Sequence, residues 1–494
     1  MIAAARKCRK CRKWLSAPLF IAAAAQLAGC AVNPATGERM ITMGTTLEDE
    51  YRIGLEQHPK ISKAFGGIYD DRRMAGYVDD IGDRLARASE LPNIKWTFTV
   101  LNSKAINAFA LPGGFVYVTR GLIALAGNEA ELAGVIAHEI GHVTARHSVQ
   151  RQSSGTLAGL GAAAAGILLG SGAAELANVV GRGIIQQYSQ GQEFEADRLG
   201  VRYISRVGYD TGMMASFLTK MRGHARLQNR IKGRPENQVD RGDFFASHPR
   251  TLDRVQRAIA EARGARPGSI RNRKQFLQRL DGVLFGGDPK EGFMRGRTFA
   301  HPALRFKFEV PQDFAVANRP EAVFATGPRG VVMKFDIAGK HNNPTMAGYI
   351  RNEWVRGRQL AGLESMTVNG MRAATARTLI NSRGASFDIR FVAIRKDPSR
   401  IYRFIFQTPP NLTRKFDLPF RRTTFSMRNM SAAEARKIKP LRIRIRAIEA
   451  GDTAAKLTRM MAQDKFKAEW FQLLNGLRPG QRPAAGTLVK LVTP

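Results

Sequence analysis

The pentapeptide His138-Glu139-Ile140-Gly141-His142 sets two imidazoles four residues apart, with a carboxylate directly after the first. On a helix, residues four apart share a face, so both rings can offer a nitrogen to one ion while Glu139 stands beside its open position. The chemistry this spacing serves is metal-assisted hydrolysis. A zinc ion polarises a carbonyl and acidifies a water, and the glutamate takes the water's proton. Histidine is scarce, 8 residues in 494, which makes a chance pair around a glutamate a poor explanation. Leu132, Val135, Ile136, Ile140 and Val143 recur at helical spacing and predict one helix from Asn128 to about Val149.

A catalytic zinc needs a third protein ligand and keeps one position for water. A third histidine ten residues after the first would satisfy one known template. Here His147 falls nine residues after His138, and Ala145 stands where that template has glycine. His147 therefore reads as a residue that supports the site. Acidic candidates lie downstream in Glu193-Phe194-Glu195-Ala196-Asp197. Glu193 and Asp197 are one helical turn apart, so one can ligate while the other orients a ligand imidazole through a hydrogen bond. Spacing alone does not choose between Glu193 and Glu195.

Three separated motifs occur in order: Asn107-Ala108-Phe109-Ala110-Leu111-Pro112-Gly113-Gly114, the His-Glu-x-x-His pentapeptide, and Glu193-Phe-Glu-Ala-Asp197. Together they resemble metallopeptidase family forty-eight, the family of the CAAX prenyl endopeptidase and the HtpX- and BepA-type proteases, over roughly residues 45–265. The resemblance implies a mainly helical gluzincin domain with a small edge sheet. It implies His138, His142 and Glu193 as zinc ligands, one ion per chain, Glu139 as general base and Asp197 as the partner of a ligand imidazole. It also implies that Asn107, Ala108 and Phe109 lie on the edge strand along which a peptide substrate pairs. Ser247-His248-Pro249-Arg250-Thr-Leu-Asp-Arg254 matches a further family pattern. By that resemblance His248 and Arg254 stabilise the oxyanion, or His248 occupies the metal's open position as a latch.

The elements that must position these groups follow from the pattern on either side. Helices are predicted from about Leu47 to Leu85, over Gln187–Val207 and over Asp253–Arg263, with strands at Trp96–Leu101 and on both sides of Pro112-Gly113-Gly114. Ser153 to Val180 is rich in glycine and alanine and reads as a helical hairpin near the site or at a membrane surface.

The amino terminus assigns the compartment. Arg6, Lys7, Arg9, Lys10, Arg12 and Lys13 precede an apolar run, Leu15 to Ala28, which ends in Leu27-Ala28-Gly29-Cys30. This order predicts a lipoprotein signal peptide over 1–29, with Cys30 acylated and 30–46 a tether. Ala31 after the cysteine points to the outer membrane, the inner membrane being the alternative. Cys8 and Cys11 would leave with the signal peptide, so no thiol remains for a disulfide. The net charge of +36 is scattered, and no nucleic-acid module is visible.

The expected fold class is α+β, with the peptidase domain at 47–285. Alternating strands with one helix predict an α+β module of unassigned role at 300–424. Residues 440–494, with Gly451-Asp452-Thr453 between a strand and two helices, resemble a LysM module, which implies peptidoglycan as a partner. The functional expectation is a lipid-anchored zinc endopeptidase that degrades misfolded or mislocalised envelope proteins. The competing expectation is a chaperone-like scaffold at the cell wall with its zinc site latched.

Overall fold

The structure is a computed structural model that describes residues 30–42, 44–151, 188–231, 233–236, 248, 251–264, 268–319, 322–339, 342–382, 385–463, 465–478 and 480–494. The expected signal peptide and the glycine/alanine-rich hairpin lie outside these residues. Helices and sheets are mixed, and the chain divides into two compact units, one built chiefly from residues up to Leu280 and the other chiefly from Asp281 onward. Among the described residues, no helix is long and apolar enough to cross a membrane.

The first unit opens with a hairpin, β1 (Cys30–Val32) against β2 (Arg39–Ile41), where a tether was expected. Its turn is closed by Asn33, whose side chain accepts from the amide of Ala35 at 2.9 Å. Three residues per strand are too few to show a period in sequence. Contacts beyond the hairpin hold it: Asn33 Nδ2 donates to Glu195 Oε1 at 3.0 Å, and Arg202 Nη1 reaches the Ala35 carbonyl at 3.4 Å.

Helix α1 (Leu47–Ala64) starts in a capping box between Thr46 and Asp49, and α2 (Arg72–Arg87) is capped by Asp71. The strands β3 (Thr97–Leu101), β4 (Ala108–Leu111) and β5 (Phe115–Thr119) form a sheet in the order β3-β5-β4, with β4 at one end. Ile61 of α1 packs with Leu101, Phe109, Leu111, Phe115 and Tyr117 to fix the sheet. After α3 (Arg120–Leu125) comes α4 (Glu129–Thr144), capped by Asn128, which packs against β4 and β5 and is buried along its whole length. Then follow α5 (Gln190–Arg206), α6 (Gly212–Ile231), α7 (Thr251–Gly264) and α8 (Arg273–Leu280).

The start of α4 is anchored by Glu129, which accepts from Tyr209 at 2.5 Å, Asn272 at 2.9 Å, Arg84 at 3.0 Å and also Tyr77. Burial pushes this carboxyl up, but the hydrogen bonds from Tyr209 and Tyr77 outweigh it and leave the pKa below the ordinary 4.5. A depressed carboxyl contributes stability above its unfolded value and loses it as pH falls through the folded one. Glu129→Gln is therefore expected to cost about 2–3 kcal/mol at pH 7, and the gap to wild type to close as pH falls below the ordinary carboxylate value. Urea titrations followed by circular dichroism at pH 7 and at pH 3.5 check both parts. An equal gap at the two pH values would refute the assignment.

The second unit contains a seven-stranded antiparallel sheet in the order β12-β13-β14-β15-β11-β10-β9. Its strands are β9 (Ala315–Asn318), β10 (Val323–Thr326), β11 (Val332–Ala338), β12 (Ala361–Val368), β13 (Met371–Ser382), β14 (Ala385–Asp397) and β15 (Arg400–Thr408). A four-stranded sheet of β6 (Phe293–Arg295), β7 (Thr298–His301), β8 (Phe306–Glu309) and β16 (Arg428–Asn429) packs through Phe299, Phe306 and Phe308 on one face. Phe416 and Phe420 of helix Thr413–Ser426 close the same core. On the other face, helix Met346–Tyr349 and the π turn Ile350–Trp354 cover Ala374, Ala376, Phe391 and Ala393.

Beyond residue 440 the order is strand, helix, helix, strand. β17 (Arg442–Ala447) pairs antiparallel with β18 (Leu488–Thr493), and helices Ala454–Met460 and Lys467–Asn475 lie between them in sequence. Residues 282–285 line the other edge of β17 through Gly282 N to Ile443 O, Ile443 N to Val283 O and Phe285 N to Leu441 O.

Candidate active site

Helix α4 presents His138, Glu139 and His142, and α5 crosses it closely enough to bring in a fourth group. Two glycines permit the approach. A Cβ on Gly141 would sit 3.1 Å from the Ala196 carbonyl, and one on Gly200 would sit 3.2 Å from the His138 amide nitrogen. A capping box between Ser189 and Gln192 starts α5, so Glu193 is aimed from its first turn.

His138, His142, Glu193 and His248 each contribute one ligand atom, all within 4.8 Å of one another, and all four residues are buried. The Nε2 atoms of His138 and His142 are 3.0 Å apart. His248 Nδ1 lies 2.8 Å from Glu193 Oε1 and 3.4 Å from His138 Nε2, and its Nε2 lies 3.6 Å from Glu139 Oε1. Neither oxygen of the buried Glu139 carboxylate has a hydrogen-bond partner among the described residues.

The groups behind this cluster are charged and paired. Asp197 Oδ1 is 2.9 Å from His138 Nδ1. Arg254, fully enclosed, bonds Asp197 through Nε at 2.8 Å and Nη2 at 2.7 Å, and meets Glu193 Oε2 through Nη1 at 2.7 Å. Burial works to raise the Asp197 carboxyl, yet Arg254 and then His138 hold it well below the usual carboxylate range. Glu193 is likewise lowered against burial by His248 and Arg254. Burial drives the His142 imidazole well below its ordinary 6.5, with His138, His147 and His248 adding to it. A neutral imidazole is the form that ligates a metal.

Arg254 thus touches both carboxylates, and its Nη2 also lies 3.4 Å from His138 Nδ1 and 3.5 Å from His138 Nε2. Arg254→Ala would leave both buried without their cation, and a loss of about 3–5 kcal/mol of stability is expected. Chemical denaturation in the presence of chelator measures it, and a loss below about 1 kcal/mol would contradict this role.

The donor set fits zinc. Two neutral imidazoles and a carboxylate are its common ligands, and a tetrahedral ion with bonds of about 2.0–2.1 Å to nitrogen holds two nitrogens about 3.3 Å apart. The observed 3.0 Å between His138 and His142 is close to this.

The model described as Peptidase family M48 matches residues 72–262, a span that contains the whole cluster. Those residues are a metallopeptidase domain of that family. The chain is 30% identical over 250 residues to the beta-barrel assembly-enhancing protease of Escherichia coli (strain K12), covering 47% of this chain and 49% of that protein. It is 29% identical over 246 residues to the protein of the same name from Yersinia pestis, covering 47% and 48%. It is 25% identical over 224 residues to the mitochondrial metalloendopeptidase OMA1 of Schizosaccharomyces pombe, covering 43% and 60%. The chain therefore spans about half the length of the curated bacterial relatives it matches.

Within the metallopeptidase domain, Ala108 and Phe109 lie on the end strand β4, with Asn107 just before it. The Phe109 ring is buried and stacks on Tyr117 at 4.9 Å, which leaves only its backbone to meet a ligand. The buried Asn107 Oδ1 has no hydrogen-bond partner among the described residues. Cys30 is the first residue of β1. Glu195, which spacing could not separate from Glu193, turns away from the cluster and meets His147 Nε2 at 3.3 Å. Sequence gave no sign of Tyr188, whose ring stacks on His142 at 3.8 Å between centroids with 16° between planes.

Proposed function

We propose that this protein is a zinc metalloendopeptidase of the bacterial periplasm, anchored to the outer membrane through acylated Cys30, that cleaves misfolded or misassembled envelope polypeptides. The observation that carries the reading is the convergence of His138, His142 and Glu193 beside a Glu139 carboxylate that accepts no hydrogen bond among the described residues. Relatives named beta-barrel assembly-enhancing protease support the envelope as the source of substrates.

In this reading His138, His142 and Glu193 hold one zinc ion. When bound, zinc supplies Lewis acidity to the scissile carbonyl and to the attacking water. Glu139 takes a proton from that water onto its carboxylate and passes it to the leaving amine. Asp197 fixes the His138 ring through Nδ1, and Arg254 keeps Asp197 and Glu193 charged and oriented. In this reading a substrate strand pairs along β4, the end strand of its sheet, which begins directly after Asn107.

A second reading is favoured by one observation, the presence of His248 inside the ligand cluster. In it the site is latched and the protein serves as a scaffold at the cell wall. The strand-helix-helix-strand order after residue 440 supports a LysM-like module, with peptidoglycan as its partner. The deciding experiment is metal analysis of the purified chain alongside turnover of an unfolded outer-membrane protein. One zinc per chain with chelator-sensitive cleavage is expected. Zinc with no cleavage by either wild type or His248→Ala favours the scaffold, and muropeptide release would indicate a peptidoglycan hydrolase instead.

A further inference from the structure

The far side of His142 is as fully specified as the side that faces the cluster. His142 Nδ1 lies 2.9 Å from Nδ1 of His147, a residue with no solvent exposure. His147 Nε2 lies 3.3 Å from Glu195 Oε2, and Glu195 Oε1 accepts from Asn33 Nδ2 at 3.0 Å. The donors and acceptors of this chain can be assigned in only one consistent way once Nε2 of His142 faces the cluster. Nδ1 of His142 then carries the proton and donates to His147 Nδ1. The proton of His147 is left on Nε2, where it donates to Glu195.

The backbone is bent to make this contact. Helix α4 ends at Thr144, and Arg146 adopts φ +55°, a left-handed conformation that costs a residue with a Cβ about 1–2 kcal/mol. The bend turns His147 back toward His142. Arg146 is held there by Glu50 Oε1 at 2.5 Å and by the Thr45 carbonyl at 2.6 Å. Tyr188, stacked on His142, fixes the plane in which its Nδ1–H points.

We propose that His147, Glu195 and Asn33 form a positioning chain for the zinc ligand His142, so that the amino-terminal hairpin helps to set the affinity of the metal site. The inference rests on the reading of His142 as a ligand. It extends the usual carboxylate–histidine–metal arrangement by one imidazole, and it makes the segment directly after Cys30 a part of the site's support. An anchored amino terminus that pulled Asn33 from Glu195 would loosen the order of the chain at its outer end.

The test is zinc affinity of the full chain by chelator competition, together with the zinc-induced rise in melting temperature. His147→Phe and Glu195→Ala are expected to weaken zinc binding by about 10–100-fold, with Asn33→Ala weaker in effect but in the same direction. Melting in excess chelator is expected to change little for Glu195→Ala, which separates lost support of the ligand from lost folding. If His147→Phe does not fold, Glu195→Gln decides, because it keeps an acceptor for His147 and removes only the charge. Its zinc affinity is expected to fall between wild type and Glu195→Ala. Unchanged zinc affinity in the folded variants of His147 and Glu195 would overturn the inference. A wild-type chain that binds no zinc would instead remove the metal assignment beneath it, a distinguishable result.

Discussion

Glu139→Gln is expected to retain one zinc per chain and to lower kcat by about 10²–10⁴-fold, with little change in KM. Glutamine preserves the volume and one acceptor of the side chain but cannot take a proton from water. The zinc expectation follows from position: Glu139 is not among the four residues whose ligand atoms converge, and its carboxylate has no hydrogen-bond partner among the described residues. Burial raises its pKa, partly offset by His248 and His138. That placement suits a base, since a carboxylate less tied up by partners is more basic toward water. Active-site titration, metal content and steady-state kinetics on an unfolded outer-membrane protein provide the check. A variant that still cleaves at the wild-type rate removes Glu139 from the mechanism.

The second large effect concerns His248, and its sign is informative. His248 Nδ1 is 2.8 Å from Glu193 and 3.4 Å from His138, inside the cluster rather than beside it. Burial works to lower its pKa, but Glu193 and Glu139 outweigh burial and raise it. A side chain so placed competes with substrate for the open side of the site. Holding nine molecules in ten closed needs only about 1.4 kcal/mol, so His248→Ala is expected to raise kcat/KM about tenfold. A fall of about 10²–10³-fold would instead assign His248 to oxyanion stabilisation. Both alternatives were open in sequence, and a single rate measurement separates them.

The parts of the site carried by one helix were legible in sequence, because a four-residue spacing states which side chains share a face. His138, Glu139 and His142 needed nothing more. Spacing left Glu193 and Glu195 open and the family resemblance implied Glu193; the physical reason is the crossing of α5 over α4, since residues two apart on a helix point to different sides. The close approach at Gly141 and Gly200 permits that crossing. Helix α6 was missed although Met214, Phe217, Leu218 and Met221 recur at helical spacing and are buried. Strands β12 and β13 were missed for a different reason. Ala373, Ala374 and Ala376 have little preference for strands, and the pairing of β13 with β12 on one side and β14 on the other makes that segment extended. The short hairpin at Cys30–Ile41 depends on contacts from Glu195 and Arg202, far away in sequence, and no local pattern announces it.

The pairing of residues 282–285 with β17 has a consequence for how the second unit is made. The edge of β17 is supplied from a segment synthesised more than 150 residues earlier, so the sheet and helices of residues 293–429 are inserted within the module that ends the chain. During synthesis that early segment waits for its partner while the inserted sheet folds, and long-range closure of this kind is slow. A fragment begun at residue 440 would carry an unpaired strand edge, the feature that invites edge-to-edge aggregation. Grafting the carboxy-terminal module elsewhere would succeed only when Asp281–Phe285 travels with it, as a split domain reunited by a short linker.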